Sequence, residues 1–181
     1  MIISIVITVL LLFFTLIIFL YFIYVFFALT IFLGAPYMPA PYPKVKEMLN
    51  LANPEPGEIL YDLGSGNGQI LIEAAKNYEV KVIGIEINPL LVYLSRRKIK
   101  KLGLKDRVKV YWGNFLKRDI SDANIIITYL TQMANNKLEK KFLSELKSGT
   151  KIVSLSFTFK KIPLIKSNFN IRLYQIPYAK I

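Results

Sequence analysis

The 181-residue sequence contains no cysteine and no histidine. The first absence excludes disulfides and thiolate chemistry, and the second removes the commonest metal ligand and the commonest general base. No metal centre is expected, and any chemistry must run without imidazole. Charge is missing from the first fifth of the chain. From Ile2 to Leu33 there is no Asp, Glu, Lys or Arg, and Ser4, Thr8, Thr15 and Thr30 interrupt what is otherwise almost all Ile, Leu, Val, Phe and Tyr. About 20 apolar residues span a bilayer as a helix, so the segment is long enough. It is apolar all round, unlike a helix that lays one stripe on a soluble core. A cleaved signal peptide would carry an early basic residue and an apolar core of about 7 to 15 residues, and neither is found here. Residues 1–33 therefore read as an uncleaved transmembrane anchor.

All 24 Lys and Arg and all 12 Asp and Glu follow Leu33, so the formal net charge of +12 belongs to the remainder. Lys44 and Lys46 come soon after the apolar segment, while its other flank offers only the chain's amino group. The positive-inside rule then places the rest of the chain in the cytoplasm, as a single-pass membrane protein. A basic domain beside a bilayer is attracted to anionic headgroups by about 1 kcal/mol per basic residue near the surface. The lipid bilayer is thus an expected partner, with nucleic acid as the competing one.

Residues 34–57 form a connector. Pro36, Pro39, Pro41 and Pro43 fix φ and remove backbone donors, which favours an extended chain. Val45, Met48, Leu49 and Ala52 then recur at helical spacing. Residues 58–181 alternate apolar strands with amphipathic helices. Strands are expected near Glu58–Leu63, Val80–Glu86, Arg107–Trp112, Asn124–Thr128 and Lys151–Phe157, with helices near Gln69–Asn77, Pro89–Leu102 and Asn135–Leu146. That alternation predicts an α/β fold, a mostly parallel Rossmann-like sheet with helices on both faces. A last strand, Asn170–Ile176, is expected antiparallel at the sheet edge.

The first strand runs into Tyr61-Asp62-Leu63-Gly64-Ser65-Gly66-Asn67-Gly68-Gln69. Glycines between a strand and a helix let the backbone turn sharply and approach a ligand. The dinucleotide fingerprint G-x-G-x-x-G would place its third glycine at Gln69, and Gly68 comes one residue too early for it. An acidic residue followed by G-x-G-x-G resembles motif I of the class I S-adenosylmethionine-dependent methyltransferases. The resemblance makes Asp62, Gly64, Ser65, Gly66 and Gly68 candidate cofactor-binding residues. Val82-Ile83-Gly84-Ile85-Glu86 ends the second strand with a carboxylate, where such an acid can accept both ribose hydroxyls. Glu86 takes that role by resemblance, with Ile87 packing on the adenine. After the third strand, Gly113-Asn114-Phe115 stands where the family has Gly-Asp-hydrophobic. Asn114 departs from that pattern, yet its side-chain oxygen can still accept a bond from the adenine amino group.

Further residues narrow the resemblance: Pro36-Tyr37-Met38-Pro39-Ala40-Pro41, Val45, Met48-Leu49, Tyr129-Leu130 and Asn136-Lys137-Leu138. Together with motif I they resemble the ATP synthase c-subunit lysine methyltransferases and their adenine-nucleotide-carrier-modifying relatives, over residues from about 36 to 156. In such enzymes the segment before the domain helps close the active site, which makes Tyr37 and Pro39 candidates for lining it. The resemblance implies S-adenosylmethionine as cofactor, a lysine of a membrane protein as acceptor, and Tyr129, with Tyr37, at the acceptor site. Tyr129 can equally cap the sheet, and Thr131 and Gln132 follow it on the same side.

Methylases of planar nitrogens carry Asn/Asp-Pro-Pro-Tyr/Phe after the fourth strand, whereas this chain reads Thr128-Tyr129-Leu130-Thr131. A base or glutamine acceptor is therefore disfavoured. The run Arg96-Arg97-Lys98, with Lys100 and Lys101, suits either a nucleic-acid patch or a helix face beside an anionic bilayer, and the membrane is preferred. Two alternatives to lysine methylation remain at this level: methylation of a small membrane-resident acceptor such as a quinone or lipid amine, and a non-catalytic membrane scaffold that keeps the fold.

Overall fold

The computed structural model describes residues 2–32 and 38–178, the side chains of 26–32 excepted. The chain divides into two compact units, Met1–Tyr37 and Met38–Ile181.

The first unit is one helix, α1 (Ile2–Phe32). Two of its hydroxyls are satisfied within the helix, Thr8 Oγ1 donating to Ser4 O at 2.9 Å and Thr15 Oγ1 to Leu12 O at 2.8 Å. Neither needs water as a partner. Residues Ile2–Val25 have a mean hydropathy of 3.2 and none is buried, so the helix is long and apolar enough to cross a membrane. Its 31 residues rise about 46 Å, more than the hydrocarbon core of a bilayer, about 30 Å.

The second unit is built on seven strands: β1 (Ile59–Leu63), β2 (Lys81–Glu86), β3 (Val108–Trp112), β4 (Ile125–Thr128), β5 (Lys151–Leu155), β6 (Leu164–Asn168) and β7 (Ile171–Gln175). They form one sheet in the order β3-β2-β1-β4-β5-β7-β6. The first five are mutually parallel, and β7 runs antiparallel to both β5 and β6. Every residue of β4 is buried, as a central strand covered on both faces requires.

Helices α2 (Tyr42–Ala52), α3 (Gln69–Asn77) and α4 (Pro89–Lys101) cover one face, and α5 (Gln132–Glu145) lies on the other. Met48 and Leu49 of α2, Leu71 of α3 and Val92 and Ile99 of α4 join the first core cluster. Leu138 and Phe142 of α5 join the second, where Phe142, Phe159 and Tyr174 meet ring against ring. Local chemistry sets the helix starts. Pro89 occupies the first turn of α4, and Asn88 Oδ1 accepts from the Leu90 and Leu91 N–H groups at 3.0 and 3.4 Å.

Two details depart from the sequence expectations. The final strand is antiparallel, as expected, but β6 lies outside it and forms the edge. All five β6 residues are exposed, so no burial alternation marks them in the sequence. Helix α5 begins three residues earlier than its apolar spacing suggests, because Thr131 Oγ1 accepts from the Ala134 N–H at 3.3 Å and caps it there. The β3–β4 connection carries no helix among its residues 113–124. An open hollow of about 960 Å³ is left on that half of the second face, lined by Tyr61, Ile83, Lys109, Tyr111 and Arg118 among others.

Candidate active site at the strand ends

Strand order reverses between β1 and β4, since the chain builds outward through β2 and β3 before crossing back. In open α/β sheets this reversal leaves a crevice beyond the carboxyl ends of the strands. Beyond β1 the chain turns through Gly64-Ser65-Gly66-Asn67-Gly68. The Gly64 and Ser65 N–H groups donate to Ile85 O at 2.9 and 3.1 Å, and Gly68 N–H to Ser65 O at 2.9 Å. Gly68 has φ +79°, and a Cβ on it would stand 2.3 Å from Ser95 Oγ of α4. A side chain is thus refused there both by the backbone conformation and by the helix packed against the turn.

Glu86 organises the crevice. Its carboxylate is buried at the end of β2, Oε2 accepting from Gly66 N–H and Oε1 from Asn88 N–H, each at 2.8 Å. Its backbone carbonyl accepts from Gly113 N–H at 2.9 Å. One residue therefore ties together the glycine turn, the entry to α4 and the exit from β3. A carboxylate has about four lone-pair positions, and the two bonds leave room for further donors. Asp62 lies buried on the neighbouring strand. Burial, and then the negative charge of Glu86, push its carboxyl up to about 8, so the proton stays on at neutral pH.

The other expected residues fall around this centre. Ile87 is half-buried, and its carbonyl accepts from the Trp112 indole N–H at 2.9 Å. Asn114 Oδ1 accepts from Leu116 N–H at 2.8 Å, which commits one lone pair of the oxygen expected to face adenine. Phe115 is half-buried against the second core cluster. Tyr129 follows β4, half-buried against the first cluster. Gln132, by contrast, is spent on structure: its Nε2 donates to Thr158 O at 2.9 Å and its Oε1 accepts from Thr158 N–H at 3.0 Å. Pro39 is exposed, and Tyr37 lies outside the described residues.

A buried polar group near the ends of β4 and β5 escaped the sequence reading. Asn135 Nδ2 donates to Ser154 Oγ at 3.1 Å, and Ser154 Oγ donates to Phe157 O at 2.7 Å. Asn135 Oδ1 and Thr128 Oγ1 are buried with no hydrogen-bond partner among the described residues. A signal was available, because Asn135 shares the buried stripe of α5 with Leu138 and Phe142.

The family model of the ANTKMT methyltransferase domain matches residues 62–166, which run from Asp62 through the glycine turn, Glu86 and Asn114 to β6. The chain belongs to this family. A protein-lysine N-methyltransferase of Saccharolobus islandicus is 40% identical over 114 residues, 62% of this chain and 71% of that protein. An ATP synthase c-subunit lysine N-methyltransferase of Xenopus laevis is 34% identical over 117 residues, 64% of this chain and 50% of that protein. The chain thus spans about half the length of that vertebrate relative. Among solved structures, an RNA methyltransferase from Salinibacter ruber in complex with S-adenosyl-L-homocysteine superposes with a TM-score of 0.74 at 35% identity, covering 80% of this chain and 96% of that one. Family membership makes this an S-adenosylmethionine-dependent methyltransferase.

Proposed function

We propose that this chain is a membrane-anchored enzyme that methylates lysine side chains of a membrane protein, with its catalytic domain on the cytoplasmic side. The observation that carries the acceptor is the 40% identity to the archaeal protein-lysine N-methyltransferase over 71% of that protein. Relatives named for the c-subunit of ATP synthase and for adenine nucleotide translocase support the same acceptor chemistry. Helix α1 supports the anchor, its exposed apolar surface being suited to hydrocarbon rather than water. Lys44 and Lys46 on its domain side support the cytoplasmic orientation.

The crevice fits the cofactor. Glu86 keeps lone pairs for ribose hydroxyls, the Gly64–Gly68 turn lets backbone approach a ligand, and Ile87, Asn114 and Phe115 border the adenine end. Asp62 holds a proton that a neighbouring cation would displace, and S-adenosylmethionine is cationic at its amino group and sulfur. When bound, the cofactor supplies a methyl group already activated on a positively charged sulfur, so the protein needs neither a nucleophile nor histidine. What the protein must provide is orientation and a neutral amine. A lysine with an ordinary pKa of about 10.4 is charged at neutral pH. The Tyr129 side of the crevice lines the acceptor channel in this reading and strips water from the ammonium, lowering its pKa.

The test is incubation of the full-length chain with tritiated S-adenosylmethionine and membranes, beside a Gly66→Arg variant that fills the turn. Label in a discrete protein band, released as methylated lysine on hydrolysis and absent with the variant, is the expected result. Label confined to the lipid extract would overturn the lysine reading. A second reading, RNA methylation, is favoured by the 35% identity to the Salinibacter enzyme across 80% of this chain. Label in an RNA fraction added to the same assay would decide for it.

A further inference from the structure

Helix α4 carries Arg96, Arg97, Lys98, Lys100 and Lys101 and not one acidic residue. Helices on soluble surfaces commonly offset such charge with carboxylates three or four positions away. Here the three ion pairs seen among the described residues all lie elsewhere, at Lys44–Glu47, Lys141–Glu145 and Lys151–Glu58. Of the five cations, Arg96 is engaged: its Nε and Nη2 donate to Val110 O at 3.0 and 2.6 Å, on the free edge of β3. That contact fixes the rotation of the helix. Val92, Ser95 and Ile99 face the core, and Leu90, Tyr93, Leu94, Arg97 and Lys101 fall on the outward side.

The outward side is divided along its length. Its first two turns expose Leu90 and Tyr93 at 58% and 60%, and its last turns expose only cations. Trp112, 65% exposed, adds to the apolar end, its indole N–H held by the carbonyl of Ile87 just before the helix. Exposed apolar and aromatic side chains continuous with uncompensated cations are the signature of a surface that lies in the headgroup layer of an anionic membrane. A polyanion such as RNA would match the cations and leave Leu90 and Leu94 unsatisfied.

We infer that the outward face of α4, together with Trp112, docks the catalytic domain on anionic lipid. This places the rim of the crevice, where Ile87 and Trp112 stand beside Glu86, against the bilayer surface. The inference rests on the membrane reading of α1 and adds to it a second, electrostatic contact. Docking would then depend on lipid charge and on salt, while insertion of α1 would not.

Trp112 is the only tryptophan in the chain, so its fluorescence reports this face alone. The experiment uses the full-length chain reconstituted in phosphatidylcholine vesicles with and without phosphatidylserine. Trp112 emission, quenching by brominated acyl chains and quenching by acrylamide are read in each. The expected result is a blue shift, bromolipid quenching and protection from acrylamide in the anionic vesicles only. An Arg97→Gln, Lys98→Gln, Lys101→Gln variant should lose these effects, its docking equilibrium constant falling about fivefold per cation removed. Identical Trp112 behaviour in neutral and anionic vesicles overturns the inference. So does a Trp112 response to an RNA oligonucleotide at physiological salt with none to anionic lipid. Carbonate-resistant flotation reads α1 separately: chains that float without any Trp112 response sink the docking face and leave the anchor standing. A lipid-dependent Trp112 response without carbonate resistance supports docking and sinks the anchor.

Discussion

Asp62 and Glu86 occupy the ends of adjacent parallel strands, both buried, and the charge of Glu86 adds to burial in holding a proton on Asp62 up to about pH 8. The Asp62 carboxyl is therefore the group through which the crevice is expected to respond to pH. Glu86 accepts from two backbone N–H groups, those of Gly66 and Asn88, whereas the Asp62 carboxyl lies buried on the strand beside it.

The first prediction concerns cofactor binding. If the cationic part of S-adenosylmethionine sits beside Asp62, binding must expel its proton, so affinity should rise with pH up to about 8 and level off above it. Calorimetric titrations in buffers of different ionisation enthalpy should register about one proton released per cofactor bound at neutral pH. Asp62→Asn should flatten both. Proton release unchanged in the variant would move the effect to another group.

The same shift makes a statement about stability. The folded pKa of Asp62 is raised from 3.8 to about 8, so the unfolded chain ionises first. Its contribution to stability is fullest below about pH 4 and is lost as pH rises towards about 8. Asp62→Asn should therefore gain stability relative to the parent as pH increases over that window, by up to a few kcal/mol. Denaturant unfolding at the two ends of the window, in the absence of cofactor, measures the difference.

Glu86→Gln keeps the shape but removes the charge. Charge-assisted hydrogen bonds contribute about 1.5–3 kcal/mol, so the loss of cofactor affinity should be about tenfold to a hundredfold. With the like charge gone, the pKa of Asp62 should fall, which carbon-13 chemical shifts of its carboxyl would show. An unchanged Asp62 titration would mean that burial accounts for its shift without Glu86.

Gly68→Ala meets two separate obstacles, a φ of +79° and a Cβ 2.3 Å from Ser95 Oγ. A loss of about 1–3 kcal/mol is expected. Ser95→Ala in the same chain should recover the packing part and leave the backbone part. A thermal-unfolding double-mutant cycle separates the two, and full additivity would show that Ser95 does not press on the turn.

Gln132→Ala should loosen the segment after β5 rather than disturb catalysis directly, because both ends of the amide hold Thr158. Faster hydrogen exchange at the Thr158 N–H and a loss of about 1 kcal/mol are expected.

Local rules explain which features were legible. Asn88-Pro89 is a cap followed by a first-turn proline, and α4 begins there. Gly64 to Gly68 signals a strand-to-helix turn, and α3 begins at Gln69 as its apolar spacing implies. The charge-free segment and the helix α1 agree because Ile2–Phe32 holds no proline or glycine to interrupt the intrahelical hydrogen bonds. By contrast β6 was invisible, since its exposed residues lack alternation and its pairing with β7 is decided by a neighbour remote from any local pattern. Gln132 looked like a substrate-side residue because its partner, Thr158, lies 26 positions away.

What the sequence by itself determined is the inventory: an uncharged span, a basic remainder, a parallel α/β order, and an acidic G-x-G-x-G turn with a second carboxylate one strand later. These are set by side-chain type and short-range spacing. Only the tertiary structure decided that Glu86 bridges Gly66 and Asn88, that Asp62 keeps its proton, and that the uncompensated face of α4 shares an exposed rim with Trp112. Each depends on groups brought together from separate strands, where burial and the field of a neighbour, rather than the identity of a residue, set what that residue does.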